Sequence, residues 1–268
     1  MLKGFIEYHI TDQCNLKCAS CIHYCALVDN SVQHKSIEQI TADLYLLHKI
    51  KDEFDEFHIL GGEPLLSPYL IDCIELSRKL FDTQRIILIT NGIIEFSEEL
   101  LNCLQINNIE VIISEYPFKD NYKEYYDNLK NILDNYHIVY KSNWCDEFQI
   151  KQLANTYIDY DKETLLNCRM RYCMQLVNGK LYVCPELAYF NYFDTYFNGL
   201  HNMYSTAINK KDFLDLNTLE NIDELYNFQN NSIPTLCNYC NDCARFVDYN
   251  MTWGEWHRSN KDIKEWIA

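Results

Sequence analysis

Residues 14–21 read Cys14-Asn15-Leu16-Lys17-Cys18-Ala19-Ser20-Cys21, three thiols at C-x3-C-x2-C spacing. They directly follow Phe5 to Thr11, where Ile6, Tyr8 and Ile10 alternate with Glu7, His9 and Thr11, the period of a strand. The thiols therefore fall on a loop at a strand end. Three cysteines packed so tightly cannot all pair with one another, but as thiolates they can wrap one compact inorganic object. A cuboidal 4Fe-4S cluster normally takes four cysteines. Three leave one iron open to a small molecule, just as an open metal position marks a catalytic site.

The remaining totals bound what such a loop can serve. A chain of 268 residues can bury a substantial core, and the length suits one α/β domain with a smaller appendage. With 48% hydrophobic and 23% charged residues the composition is that of a globular protein. Lys and Arg number 23 against 39 Asp and Glu, a formal charge of −16 with His neutral. A field of that sign repels phosphate backbones, so nucleic acid is not an expected partner. No window approaches the roughly 18 apolar residues that span a membrane, and Met1 to Thr11 lacks the pattern of a secretory signal. Thirteen cysteines in a chain without that signal read as metal ligands in a reducing cytoplasm.

Strand and helix patterns alternate after the cysteine loop. Ser36 and Gln39 form a capping-box pattern ahead of Ile37, Ile40, Leu44, Leu47 and Ile50 at helical spacing. Glu56 to Leu60 is strand-like and runs into Gly61-Gly62-Glu63-Pro64; Ser67 and Pro68 then open a helix through about Leu80. Arg85 to Thr90, Ile109 to Ser114 and Tyr136 to Lys141 are further expected strands, and Asn155 to Tyr160 is a weaker one. The helices between them are capped by Ser97 or span Asn121 to Asn135. This order implies right-handed βαβ units and a parallel sheet. Composition changes near Lys162, giving an expected division into 1–162 and 163–268. Trp253, Trp256 and Trp266, with Ile263 and Ile267, suggest a closing helix.

The cysteine loop followed one helix later by Gly61-Gly62-Glu63 resembles the signature of the radical S-adenosylmethionine (SAM) superfamily. That resemblance implies a partial (β/α)6 barrel, with a 4Fe-4S cluster on Cys14, Cys18 and Cys21 whose open iron is chelated by SAM. Two glycines permit close backbone approach, and the Glu63 carboxylate can accept hydrogen bonds from an ammonium group. By resemblance, Gly61, Gly62 and Glu63 hold the amino group of SAM, Thr90 and Asn91 line its methionine side, and Ser114 and Glu115 reach its ribose. Strand ends in α/β proteins converge on one such crevice. Where the family often has an aromatic residue before the third cysteine, near adenine, this chain has Ser20, with His23 and Tyr24 following. No glycine-rich adenine motif is evident at the fourth or fifth strand.

A second constellation lies downstream. Asn178-Gly179 reads as a hairpin turn between Cys173 and Cys184, and far beyond comes Cys237-Asn238-Tyr239-Cys240-Asn241-Asp242-Cys243. The arrangement resembles the auxiliary-cluster domains called SPASM and twitch, and a twitch-like domain with one auxiliary 4Fe-4S cluster fits it better than two clusters. Cys184, Cys237 and Cys240 are the expected ligands, with Cys173 or Cys168 as the fourth and Cys243 in reserve. A four-thiolate zinc site is the structural alternative. Cys73 and Cys103 sit among apolar neighbours and are expected in the core; Cys25 and Cys145 are expected as buried, inert thiols.

The resemblance implies an oxidoreductase or isomerase that cleaves SAM reductively to a 5′-deoxyadenosyl radical, which abstracts hydrogen from a substrate carbon. A low-potential donor such as flavodoxin or ferredoxin would supply the electron. Peptide oxidation, epimerisation or crosslinking is the leading substrate reading, with a carbohydrate or aminosugar second. A non-catalytic iron-sulfur or zinc scaffold and a glycyl-radical activase are readings of other classes; a scaffold has no need of an open iron beside a carboxylate.

Overall fold

The computed structural model describes residues 1–29, 31–32, 34–149, 153–197, 212–241 and 253–267. At its centre, strand β1 (Phe5–His9) pairs in parallel with β2 (Glu56–Leu60) on one side. The parallel run continues through β3 (Arg85–Thr90), β4 (Glu110–Glu115) and β5 (Tyr140–Trp144). A short strand β6 (Glu147–Gln149) follows outside this sheet. On the other side of β1 lies β7 (Cys173–Val177), also parallel, extended antiparallel by β8 (Lys180–Tyr182) and β9 (Leu214–Asp215). The order is β5-β4-β3-β2-β1-β7-β8-β9. Residues beyond 163 thus contribute strands to the same sheet as residues 1–162.

Crossovers α1 (Ile37–His48), α2 (Leu70–Leu80), α3 (Glu98–Ile106) and α4 (Tyr122–Asn135) join successive parallel strands. Ser36 caps α1 with both bonds of the capping box, and Ser97 accepts from the Leu100 amide at the start of α3. Ile40, Leu44 and Leu47 of α1 pack with Leu70, Cys73 and Ile74 of α2 in the core that also buries Ile6, Tyr8 and Ile10. Each such aliphatic side chain withdrawn from water contributes roughly 1.5–3 kcal/mol. Cys103 is buried in the same core.

Four expectations are corrected. The second crossover helix starts at Leu70, because Pro64–Leu66 form a 3-10 turn and Ser67 Oγ accepts the Tyr69 amide. The fifth strand begins at Tyr140, since the chain leaves α4 through His137 in the left-handed region, φ 55°. Asn155 to Tyr160 forms no strand: Ala154 and Ile158 donate their amides to Tyr239 and Asn238, and β7 takes the sixth parallel position. Among the described residues the tail forms no closing α-helix. Instead β10 (Trp253–Glu255) pairs antiparallel with β6, and Ile263–Glu265 make a 3-10 turn.

A smaller core forms around helix α6 (Pro185–Tyr196), where Phe190 and Phe193 pack with Tyr24, Leu27, Leu236 and Trp266. Trp266 is fully buried there. This cluster fastens the tail and the segment after the cysteine loop to α6. Helices α5 (Lys162–Leu166) and α7 (Ile222–Asn231) complete the described helices.

Candidate active site

The carboxyl ends of β1 to β4 surround a cavity of about 630 Å³. Cys14, Cys18 and Cys21 line it together with Gly61, Gly62, Thr90, Asn91 and Ser114. His23, Cys25 and Tyr116 complete the polar part of its wall. Eight of the residues singled out from sequence therefore meet in one space.

The glycine pair makes this convergence possible. The Gly62 and Glu63 amides donate to the Thr11 and Gln13 carbonyls, both at 2.8 Å. A Cβ on Gly61 would fall 2.2 Å from the Thr11 carbonyl oxygen, and one on Gly62 would fall 2.2 Å from that of Gln13. Any side chain there would push the second strand end away from the cysteine loop. Across the cavity, Asn91 Nδ2 donates to Asn15 Oδ1 at 2.7 Å, tying the third strand end to the residue after Cys14.

Glu63 lies behind this wall and is fully buried. Its Oε1 accepts from Thr90 Oγ1 at 2.7 Å and the Leu65 amide at 3.1 Å, while Oε2 accepts from the Asn91 amide at 2.8 Å. Burial raises its pKa to about 7 despite those donors. Its carboxylate thus braces the ends of β2 and β3. Glu115 also faces away from the cavity. Side chains alternate along β4, so Ser114 lines the cavity while Glu115, fully buried, turns to the helix layer and pairs with Lys130 Nζ at 2.7 Å. Ser20 is buried with its hydroxyl donating to the Glu265 carbonyl, and Tyr24 packs on Phe190 and Phe193. Of the residues flanking the third cysteine, His23 is the ring on the cavity wall.

Cys14, Cys18 and Cys21, lining one cavity, are the residues that could hold a cluster. Burial pushes Cys14 up to about 11 and Cys18 well above the usual thiol range. A hydrogen bond from Cys25 and the nearby His23 lower Cys21 to about 6 against the effect of burial. Buried thiols of this kind become thiolates when metal cations compensate the charge.

Polar residues on the inward side of β1 were not singled out from sequence. Glu7 is buried and accepts from Gln175 Nε2 at 2.6 Å, with His23 Nε2 at 3.7 Å and His58 Nδ1 at 3.8 Å. Burial favours its neutral form, but His23, His58 and Gln175 hold its carboxyl well below the usual range. His9 stacks on Tyr189, ring centroids 4.0 Å apart, and meets His23 edge to face at 4.6 Å. The signal was available: in a parallel strand buried on both faces, charged residues at alternate positions mark an interior that holds something polar.

Beyond the His9–His23 contact lies a second polar chamber of about 750 Å³, with Asp12, His34, Lys35, Tyr189 and Tyr192 on its wall. His9 Nε2 and the Tyr189 hydroxyl are buried without a hydrogen-bond partner.

The downstream cysteines gather elsewhere. Cys168, Cys184, Cys237 and Cys240 line an apolar cavity of about 440 Å³. Cys173 is not on its wall: as the first residue of β7 it faces the same side as Gln175, whose Nε2 lies 3.3 Å from its sulfur. Cys243 lies outside the described residues. Among the described residues no three Cys, His, Asp or Glu side chains converge on a single ion. The four thiols share the lining of this one apolar cavity.

No family model matches the chain. GTP 3',8-cyclase of Clostridium perfringens strain SM101 is 29% identical over 180 residues, covering 61% of this chain and 50% of that protein. GTP 3',8-cyclase of Nostoc sp. strain PCC 7120 is 28% identical over 93 residues, covering 33% of this chain and 27% of that protein. The chain spans half or less of the length of these relatives. Among solved structures, BtrN in complex with AdoMet and 2-DOIA matches with a TM-score of 0.56 at 16% identity, over 90% of this chain and 94% of that one. That likeness is one of fold. The chain is thus similar in part of its sequence to these cyclases and in fold to BtrN, and three thiols and a glycine pair meet at its strand ends as the resemblance to the radical SAM superfamily implies.

Proposed function

We propose that the chain is an enzyme that cleaves SAM reductively and abstracts a hydrogen atom from a small, polar, hydroxyl- or amine-bearing substrate. The observation that carries this reading is the cavity itself, where Cys14, Cys18 and Cys21 face Gly61, Gly62, Thr90, Asn91 and Ser114. When bound, a 4Fe-4S cluster and SAM supply the electron and the 5′-deoxyadenosyl radical, and a second cluster at the four-thiol cavity supplies a place for the electron left on the substrate. Cys14, Cys18 and Cys21 would hold the first cluster, leaving one iron for SAM. The backbone of Gly61 and Gly62 would lie along the methionine part, with Asn91 fixed by Asn15 beside it. Glu63 positions this wall by bracing Thr90 and Asn91. The fold itself excludes water from most of the wall, since Glu63, Thr90 and Asn91 are all buried.

For the auxiliary cluster we propose Cys168, Cys184, Cys237 and Cys240. Four thiolates complete a 4Fe-4S ligand set, so such a cluster has no open iron for substrate and serves as an electron acceptor. This favours net two-electron oxidation over isomerisation.

Between the two substrate classes, the chamber beside His9 favours a carbohydrate or aminosugar over a peptide. It combines an acid, bases and aromatic faces, Asp12, Lys35, His34, Tyr189 and Tyr192, the mixture that a small polar molecule needs. A fold neighbour over 90% of this chain, BtrN, was solved with AdoMet and 2-DOIA. The test is anaerobic incubation of the reconstituted protein with SAM, a reductant and either a panel of aminosugars or a panel of short peptides. Deoxyadenosine released in step with an aminosugar product two hydrogens lighter supports the reading. Turnover of peptides with no response to aminosugars would restore the peptide reading.

A further inference from the structure

The tail of the chain lies against the cysteine loop. The Ala19 amide donates to the His257 carbonyl at 3.0 Å and the Ser259 amide to the Lys17 carbonyl at 2.8 Å, an antiparallel bridge between Cys18 and Arg258. Arg258 Nη1 donates to the carbonyls of Asn15 at 3.0 Å and Leu16 at 3.3 Å. Within this pairing, Trp256 Nε1 donates to Cys18 Sγ at 3.0 Å, across 238 residues of sequence. An indole nitrogen is a donor only, so this bond has one polarity.

We infer that Trp256 is a positioning residue that raises the reduction potential of the cluster bound by Cys14, Cys18 and Cys21, through its N–H to the Cys18 sulfur. The inference rests on the reading of that cavity as a cluster site. Hydrogen bonds to cluster sulfurs are one of the terms that set the potential. The reduced cluster carries one more negative charge than the oxidised one, so a donor to its thiolate stabilises the reduced form more. The indole is held in place from both ends. Its own backbone amide donates to the Asp146 carbonyl at 2.7 Å, and its ring contacts Tyr116 on the cavity wall, centroids 5.8 Å apart. Trp266, the other tail indole that reaches the loop, donates to the Cys21 carbonyl at 3.3 Å and not to a sulfur.

The experiment is a redox titration of anaerobically reconstituted protein, followed by the electron paramagnetic resonance signal that shifts on adding SAM, in wild type and Trp256→Phe. Phenylalanine keeps a ring and removes the N–H. At a fixed potential the ratio of reduced to oxidised cluster should fall by roughly three- to tenfold, a tenfold change being about 59 mV for one electron. In the wild type, an exchangeable proton coupled to the cluster should be visible by electron-nuclear double resonance, vanish in deuterated buffer and be missing from Trp256→Phe. Indole-15N labelling of tryptophan in the wild type, with the nitrogen coupling read beside the proton, decides the matter even if the variant binds no cluster. A SAM-responsive cluster without that proton, or with an unaltered potential in a variant of full iron content, overturns this inference alone. Absence of any SAM-responsive cluster in the wild type overturns the cluster site as well.

Discussion

Replacing Glu63 by glutamine separates a bracing role from a ligand role. Burial raises the carboxyl of Glu63 from 4.5 to about 7 in the folded protein. A carboxyl with a raised folded pKa binds its proton more tightly in the native state, so its contribution is fully present below about pH 4.5 and is lost as pH rises through 7. The shift is worth about 3 kcal/mol, at 1.36 kcal/mol for each pKa unit. The protonated side chain still accepts at two oxygens, whereas glutamine keeps one acceptor oxygen for Leu65 N and Thr90 Oγ1 and turns an NH2 toward Asn91 N, a cost that does not change with pH. Relative to wild type, the stability of the Glu63→Gln variant should therefore rise by about 2–3 kcal/mol between pH 5 and pH 8, because glutamine never has to ionise in the interior. Urea unfolding of the cluster-free proteins at pH 5, 6, 7 and 8 measures the difference, in which the pH dependence of all other groups cancels. Parallel stability profiles would refute the reasoning and place Glu63 in contact with solvent or ligand.

Gly62→Ala should displace the cysteine loop, since its Cβ would meet the Gln13 carbonyl oxygen at 2.2 Å; iron content after reconstitution should drop by about four atoms per chain with the auxiliary cluster retained. Cys168→Ala should lose about four irons, whereas Cys173→Ala should keep its full content, and the opposite pattern would return the fourth ligand to β7. Asn91→Ala removes the Nδ2 bond to Asn15 and should weaken SAM binding about three- to tenfold, measured by the SAM-induced change in the cluster signal, with little change in iron content.

What could be read from the residues divides by the range of the interaction. Strands Glu56–Leu60 and Arg85–Thr90 and the caps at Ser36 and Ser97 are local events, and hydrophobic period and capping chemistry found them. The convergence of Cys14, Cys18 and Cys21 with Gly61 and Gly62 was legible because parallel strands deliver their carboxyl ends to one edge. Side-chain parity was not carried through: two consecutive strand residues, Ser114 and Glu115, cannot both face one crevice. The choice between Cys168 and Cys173 turned on whether Cys173 enters a strand, and the pairing of that strand with β1 is a contact across 168 residues. The tail was misread for the same reason. Its tryptophans suggest an amphipathic helix, but the backbone partners of β10 lie on β6 and those of His257 and Ser259 lie on the cysteine loop, far away in sequence.

The most direct test of the cluster and its chemistry is the comparison of wild type with the triple variant Cys14→Ala, Cys18→Ala, Cys21→Ala, both reconstituted without oxygen. Wild type should carry about eight irons and form deoxyadenosine from SAM, against about four irons and no deoxyadenosine in the variant. Equal iron contents, or a wild type that carries both clusters and yields no deoxyadenosine with any reductant, would contradict it.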